Sequence, residues 1–141
     1  IGSWEVLRSG SDLAVLTVGP ISYDVERAAE ILQNDNISIE IVNCRFIKPM
    51  DESYLKSLKE RFQSVITIEE GAIVGGFGDG VSSWLLENDY QGRIKRLGFP
   101  DRFIQHGKRD QLLSEIGLDQ NGIIEAIKSM VNATSDTLKE S

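Results

Sequence analysis

The sequence predicts a single α/β sandwich built on a mostly parallel sheet, and three observations carry that prediction. Strand-like and helix-like segments alternate through most of the 141 residues, the order that a parallel sheet needs. Leu13 to Val18 and Val65 to Ile68 are short runs, almost wholly apolar or β-branched. Such runs suit strands covered on both faces. No repeat, low-complexity stretch or linker divides the chain.

Trp4 to Arg8 reads as a short first strand, followed by a turn over Ser9 to Asp12. Gly19 and Pro20 stop the Leu13–Val18 strand. Ser22 is the expected N-cap of a helix whose stripe is Val25, Ala28, Ala29 and Leu32. Asn34, Asp35 and Asn36 end it. Ile37 to Cys44 reads as a strand, and Pro49 breaks the chain. Asp51 is expected to cap a helix with Leu55, Leu58 and Phe62 on its inner face.

Val65 to Ile68 leads to Glu69, Glu70 and Gly71, read as surface carboxylates beside a turn. Gly75, Gly76, Gly78 and Gly80 let the backbone turn or approach something closely. Asp79 is expected to initiate a helix that buries Val81, Trp84 and Leu85. Asn88 to Gly92 is a turn, and Arg93 to Leu97 the last strand, ended by Gly98 to Asp101. Arg102 to Gly107 is irregular. Lys108 to Ile116 reads as helical, with Gly117 left-handed at its end and Leu118 folding back. Asp119 caps a final helix that buries Ile123, Ile124, Ile127, Met130 and Val131. Residues 132–141 are expected to be a polar, frayed tail, leaving 1–131 as one domain.

Acidic residues outnumber basic ones, 22 to 15, for a net charge of −7. That balance argues against nonspecific binding to nucleic acid or to an anionic membrane. It fits a soluble cytosolic protein. No apolar run approaches the roughly 20 residues of a membrane helix, and no signal or transit peptide is visible. The chain opens on Ile1, so a fragment or processed product is expected. Cys44 is the single cysteine and His106 the single histidine. They exclude an internal disulfide, a thiolate metal cluster and any site needing two imidazoles.

The glycine cluster invites a dinucleotide-binding reading, with Asp101 about 20 residues on. The match is poor: Glu69 to Val74 intervene before the glycines, and the G-x-G-x-G spacing lacks a residue. Two glutamates would also repel a pyrophosphate. Adjacent in a strand, Glu69 and Glu70 point to opposite faces and make no acid/base dyad. His106 lacks a nucleophile or an orienting group, since no Gly-x-Ser-x-Gly elbow is present. Cys44 reads as an inert core residue. Arg45 and Lys48, at the carboxyl end of a strand, could pair with Glu69 and Glu70 or bind a substrate anion. The residues alone offer a fold and no catalytic set.

Several of these pieces together resemble a known family. Glu5-Val6-Leu7-Arg8-x-Gly10 with Leu13 to Gly19 is similar to the opening of the transketolase C-terminal domain. Arg45-Phe46-Ile47-Lys48-Pro49-Met50-Asp51 and Thr67-Ile68-Glu69-Glu70-Gly71 with Gly75-Gly76-Phe77-Gly78 extend the match across thiamine-dependent enzymes. Leu97 to Gly107 (LGFPDRFIQHG), Leu112-Leu113 and Gly117-Leu118-Asp119-x-x-Gly122-Ile123 resemble the 1-deoxy-D-xylulose-5-phosphate synthases. Met50 stands where leucine is usual, and Gly71 where asparagine is common.

The resemblance implies a three-layer α/β/α sandwich, with a five-stranded sheet and Trp4 to Arg8 as its antiparallel edge. It implies a parent transferase that condenses pyruvate with glyceraldehyde 3-phosphate, releasing carbon dioxide, for isoprenoid, thiamine and pyridoxal synthesis. Thiamine diphosphate and Mg²⁺ would serve that parent, held by preceding domains, and no cofactor is expected on this chain alone. The domain would pack against those domains and form a homodimer, in the bacterial cytoplasm or a plastid stroma. No catalytic, cofactor or metal residue is assigned. Glu69, Glu70, Gly75, Gly76, Gly78, Arg45, Lys48 and His106 are the candidate domain-interface residues. Charge reversal at Glu70 is expected to leave this domain's fold nearly unchanged. Two alternatives stand beside this reading. One is the C-terminal domain of a 2-oxo-acid dehydrogenase E1 β subunit that docks an acyltransferase core. The other is a stand-alone nucleotide-binding module.

Overall fold

The computed structural model describes residues 3–44, 50–71, 75–99 and 109–140. Five strands are present, β1 (Glu5–Arg8), β2 (Leu13–Val18), β3 (Ile39–Asn43), β4 (Ser64–Glu70) and β5 (Arg93–Phe99). Between and after them come α1 (Ile21–Asn34), α2 (Glu52–Arg61), α3 (Gly76–Glu87), α4 (Arg109–Glu115) and α5 (Gln120–Glu140). The strands form one sheet in the order β1-β3-β2-β4-β5, parallel except for β1, which runs antiparallel to β3. That is the three-layer mixed sandwich that the family resemblance implies.

Two apolar layers sandwich the sheet. On one face Leu13, Val15, Ile41, Ile66 and Ile68 pack against α1, α4 and α5. On the other, Ala14, Leu16, Val42 and Val65 meet Leu55 and Leu58 of α2 and Phe77, Val81 and Leu85 of α3. Alternation along β2 and β4 feeds both layers, so these strands are buried along their lengths. Burying a Leu or Ile contributes about 1.5–3 kcal/mol, which makes the two central strands the fold's main support.

Local signals hold at several ends. Asp51 caps α2 by accepting from the Tyr54 N–H at 3.0 Å. Gly117 is left-handed (φ 75°), and the Leu118 N–H donates to the Leu113 carbonyl at 2.8 Å, closing a Schellman end on α4. Asp119 caps α5 through the Gly122 N–H at 2.9 Å.

Other ends differ. Pro20, not Ser22, stands at the start of α1, and Ser22 is buried in the first turn. Gly19 (φ 99°) turns the chain early enough for the proline ring to set the helical φ. β3 is shorter than Ile37 to Cys44. The Ser38 N–H donates instead to Asp12 Oδ2 at 2.7 Å, outside the ladder. β5 runs on through Gly98 and Phe99, which pair with Glu69 and Glu70. α5 continues to Glu140 in place of the frayed tail. No Gly or Pro follows Gly122, so nothing in the backbone stops it. Arg102 to Lys108 lie outside the described residues.

Candidate functional site

The carboxyl ends of the parallel strands are where an open α/β sheet meets its ligands. Glu69 and Glu70 close β4 at that edge. Neither is a surface carboxylate: they are 4% and 6% exposed. They remain within the strand, so they do point to opposite faces.

Glu69 turns toward α3. Its Oε1 accepts the Gly75 and Phe77 N–H groups at 3.1 and 3.2 Å, and its Oε2 accepts the Gly78 N–H at 2.9 Å. These are amides that the first turn of a helix leaves without partners. A buried anion there also meets the positive end of the helix dipole. Asp79 therefore does not initiate α3. The helix starts at Gly76, after a left-handed Gly75 (φ 95°), and Asp79 pairs with Arg96 of β5. Gly78 is buried beneath this contact. A Cβ on it would stand 2.9 Å from Glu69 Oε2 and 3.0 Å from Thr67 Oγ1. Phe77 lies edge-on to Trp4, ring centres 5.7 Å apart, tying the turn to the residue before β1.

Glu70 turns toward α1 and α4. Arg109 grips it in a two-pronged pair, Nε to Oε1 at 2.7 Å and Nη2 to Oε2 at 2.8 Å. The same Nη2 reaches Asp24 Oδ2 at 3.2 Å, and Asp24 holds Arg27 at 2.8 Å. Glu70 and then Asp24 keep the Arg109 guanidinium protonated well above its ordinary range. Gly19 completes the junction: a Cβ there would lie 2.6 Å from the Glu70 carbonyl oxygen.

The arrangement anchors helices. Both carboxylates point their acceptors at donors of this same chain. The anion position at the start of α3, where a phosphate would bind, is filled by Glu69. That geometry speaks against the nucleotide-binding alternative. Among the described residues, no group of three or more His, Cys, Asp or Glu side chains is placed to hold a metal. Cys44 is fully buried, and burial pushes its thiol well above the ordinary range, helped by nearby Asp51.

Of the eight candidate interface residues, the fold brings Glu69, Gly75, Gly76 and Gly78 to one turn and sets Glu70 behind it. Arg45, Lys48 and His106 lie outside the described residues. The proposed pairing of Arg45 and Lys48 with the glutamates falls there too, and both glutamates have other partners. Sequence reasoning missed Asp24 and Arg109. A separation of 39 residues between Arg109 and Glu70 leaves no local signal. The role of Glu69 had one: a helix opening on glycines supplies no side-chain cap, so its amides need an acceptor from elsewhere.

A second buried carboxylate cluster lies away from this edge. Glu40, 3% exposed, accepts from Arg61 at 3.0 and 2.8 Å and from the Tyr54 hydroxyl at 2.6 Å. The Gly10 N–H approaches at 3.4 Å. Burial would raise the Glu40 carboxyl, and these donors outweigh it to hold the group below the usual range.

Comparison with known proteins agrees with this geometry. Residues 2–123 match the family model described as "Transketolase, C-terminal domain". A 1-deoxy-D-xylulose-5-phosphate synthase of Geobacillus sp. is 49% identical over 132 residues, covering 93% of this chain and 21% of that protein. One from Bacillus cereus is 45% identical over the same length and with the same coverage. The chain therefore spans about a fifth of the length of these curated relatives. A solved structure described as "Split gene transketolase, inactive beta4 tetramer" superposes with a TM-score of 0.78 at 26% identity, covering 93% of this chain and 43% of that one. With the strand order, the antiparallel edge and the match over residues 2–123 in agreement, the chain belongs to the transketolase C-terminal domain family.

Proposed function

We propose that this chain is the C-terminal domain of a 1-deoxy-D-xylulose-5-phosphate synthase. The observation that carries the reading is the 49% identity to the Geobacillus synthase over 132 residues. The parent would condense pyruvate with glyceraldehyde 3-phosphate, releasing carbon dioxide, in the cytoplasm as a homodimer. Thiamine diphosphate with Mg²⁺ would supply the carbanion chemistry there. The described residues of this chain do not fit that cofactor. The amides at the start of α3 are already satisfied by Glu69, and among the described residues no group of three or more His, Cys, Asp or Glu side chains is placed to hold a metal.

The chain's own part is to present the carboxyl edge of its sheet to the remaining domains. Glu69 and Glu70 act from beneath that edge, Glu69 by fixing the start of α3 and Glu70 by fixing the start of α4. Gly75 and the exposed Gly76 lie at the turn itself. Arg45, Lys48 and His106 stay in the proposed set of interface residues on the family resemblance alone.

The test is a chimera in which this chain replaces the corresponding domain of the Geobacillus synthase. The chimera is expected to form 1-deoxy-D-xylulose 5-phosphate within about tenfold of the parent rate, roughly 1.4 kcal/mol in barrier. The isolated chain with both substrates, thiamine diphosphate and Mg²⁺ is expected to form none. A folded chimera without activity, or turnover by the isolated chain, would overturn the assignment.

A further inference from the structure

β5 is an edge strand: among the described residues, only β4 pairs with it. It opens Arg93-Ile94-Lys95-Arg96, three cations and no carboxylate in a chain of net charge −7. All three cations are exposed. Arg96 is engaged by Asp79, whereas Arg93 and Lys95 have no ion-pair partner among the described residues. Alternation sets Arg93 and Lys95 on one face of the strand and Ile94 on the other. Ile94 lines a groove with Leu86 of α3, which is 67% exposed. A second groove, bearing Lys59, meets the first at Gly92. The carboxylates facing the grooves are Asp89 in the second and the already paired Asp79 in the first.

We propose that the β5 edge is a docking site for an extended acidic segment of a partner protein, added to the sheet as a sixth strand. Backbone pairing would supply affinity, and alternate side chains would supply selectivity. Carboxylates on one face of the incoming strand meet Arg93 and Lys95, and apolar residues on its other face cover Ile94 and Leu86. Cross-strand opposite charges favour such a pair, and like charges oppose it. The same cations repel the β5 of a second copy, which guards the edge against self-pairing. β1, the other edge, has no such charge run: its cation, Arg8, is bonded to Gln33.

The proposal does not depend on which enzyme the domain serves. Its probe is a labelled peptide of about ten residues alternating Glu and Val, with a Lys–Val peptide as control, titrated at low salt into the 141-residue chain. The acidic peptide is expected to bind and the basic one not to, the reverse of what the net charge alone would give. Arg93→Glu with Lys95→Glu should weaken binding about tenfold or more, and Leu86→Ser should weaken it as well. If the charge reversal disturbs the circular dichroism spectrum, Arg93→Gln with Lys95→Gln replaces it. Equal binding of the two peptides, no binding of the acidic one, or binding indifferent to these substitutions would overturn the proposal. So would concentration-dependent self-association that the same substitutions abolish.

Discussion

Glu69 and Glu70 are neighbours in sequence, equally buried, and held by opposite means. Glu69 is neutralised by three backbone amides of one helix start. Glu70 is neutralised by a guanidinium that is itself 29% exposed. Amides at a helix start cannot leave, so losing Glu69 strands donors beneath the turn. Arg109 can swing toward water or Asp24, so losing Glu70 strands little. The costly loss on that second face is Arg109, because it leaves a buried carboxylate without its cation. Two anchors one residue apart therefore fail in different ways, and stability measurements can tell them apart.

The largest effect is expected from Glu69→Ala. It removes the acceptor for three amides, and each hydrogen bond to a charged group contributes about 1.5–3 kcal/mol before the helix end relaxes. A loss of about 3–4 kcal/mol in denaturant unfolding is the expected outcome. A loss below about 1 kcal/mol would mean that water replaces the carboxylate freely and that the contrast with Glu70 is empty.

Next comes Arg109→Met. Breaking one partner of a buried pair typically costs about 3–5 kcal/mol, and the partial exposure of Arg109 places this case near about 3. Glu70→Leu should cost less, about 2 kcal/mol, and the double variant less than the sum of the two. Strict additivity in that cycle would show the pair to be uncoupled. Burial also corrects the expectation that reversing charge at Glu70 would spare the fold: Glu70 is 6% exposed, and Glu70→Lys sets a second cation beside Arg109 in place of its carboxylate.

Why one anchor was partly legible and the other was not follows from sequence distance. The glycine-led helix and the acid at the preceding strand end lie within ten residues, and local rules reach that far. What misled the reading there was Asp79, a good capping residue by type, displaced because the left-handed Gly75 starts the helix too early for it. The mostly parallel sheet was legible because β2 and β4 are apolar on both faces, and the antiparallel edge only through resemblance to a family; the strand order was not read from the sequence. The Glu70–Arg109–Asp24 junction joins three elements across the fold, and no periodicity or turn chemistry encodes it. Nor did composition place Glu40 inside. A glutamate in an alternating strand looks solvated until Arg61 and Tyr54 are seen closing over it.

Gly78→Ala sharpens the Glu69 side alone. The added methyl would press on Glu69 Oε2 at 2.9 Å and Thr67 Oγ1 at 3.0 Å, both held by the strand behind them. An overpacked site of this kind costs about 1–3 kcal/mol, offset in part by alanine's better helix propensity, about 1 kcal/mol. The expected net loss is about 1 kcal/mol, reduced when Glu69 is already alanine because the Thr67 contact remains. An unchanged penalty in the Glu69→Ala background would place the clash elsewhere.

The smallest expected effect uses the third buried carboxylate as a reference for the other two. The folded Glu40 carboxyl is held below its usual value near 4.5, with Arg61, Tyr54 and Gly10 outweighing burial. A depressed folded value means that the unfolded chain binds the proton first as pH falls. The Glu40 contribution is therefore complete above about pH 4.5 and is lost as pH drops through the lower folded value. Because Arg61 is 42% exposed, solvent screening limits the contribution to about 1 kcal/mol or less. The measurement is the melting temperature of the parent and of Glu40→Gln between about pH 6 and pH 3. The two curves should converge toward the acid end as the parent loses what the variant never had. Curves that stay parallel would mean that protonating Glu40 costs the fold nothing.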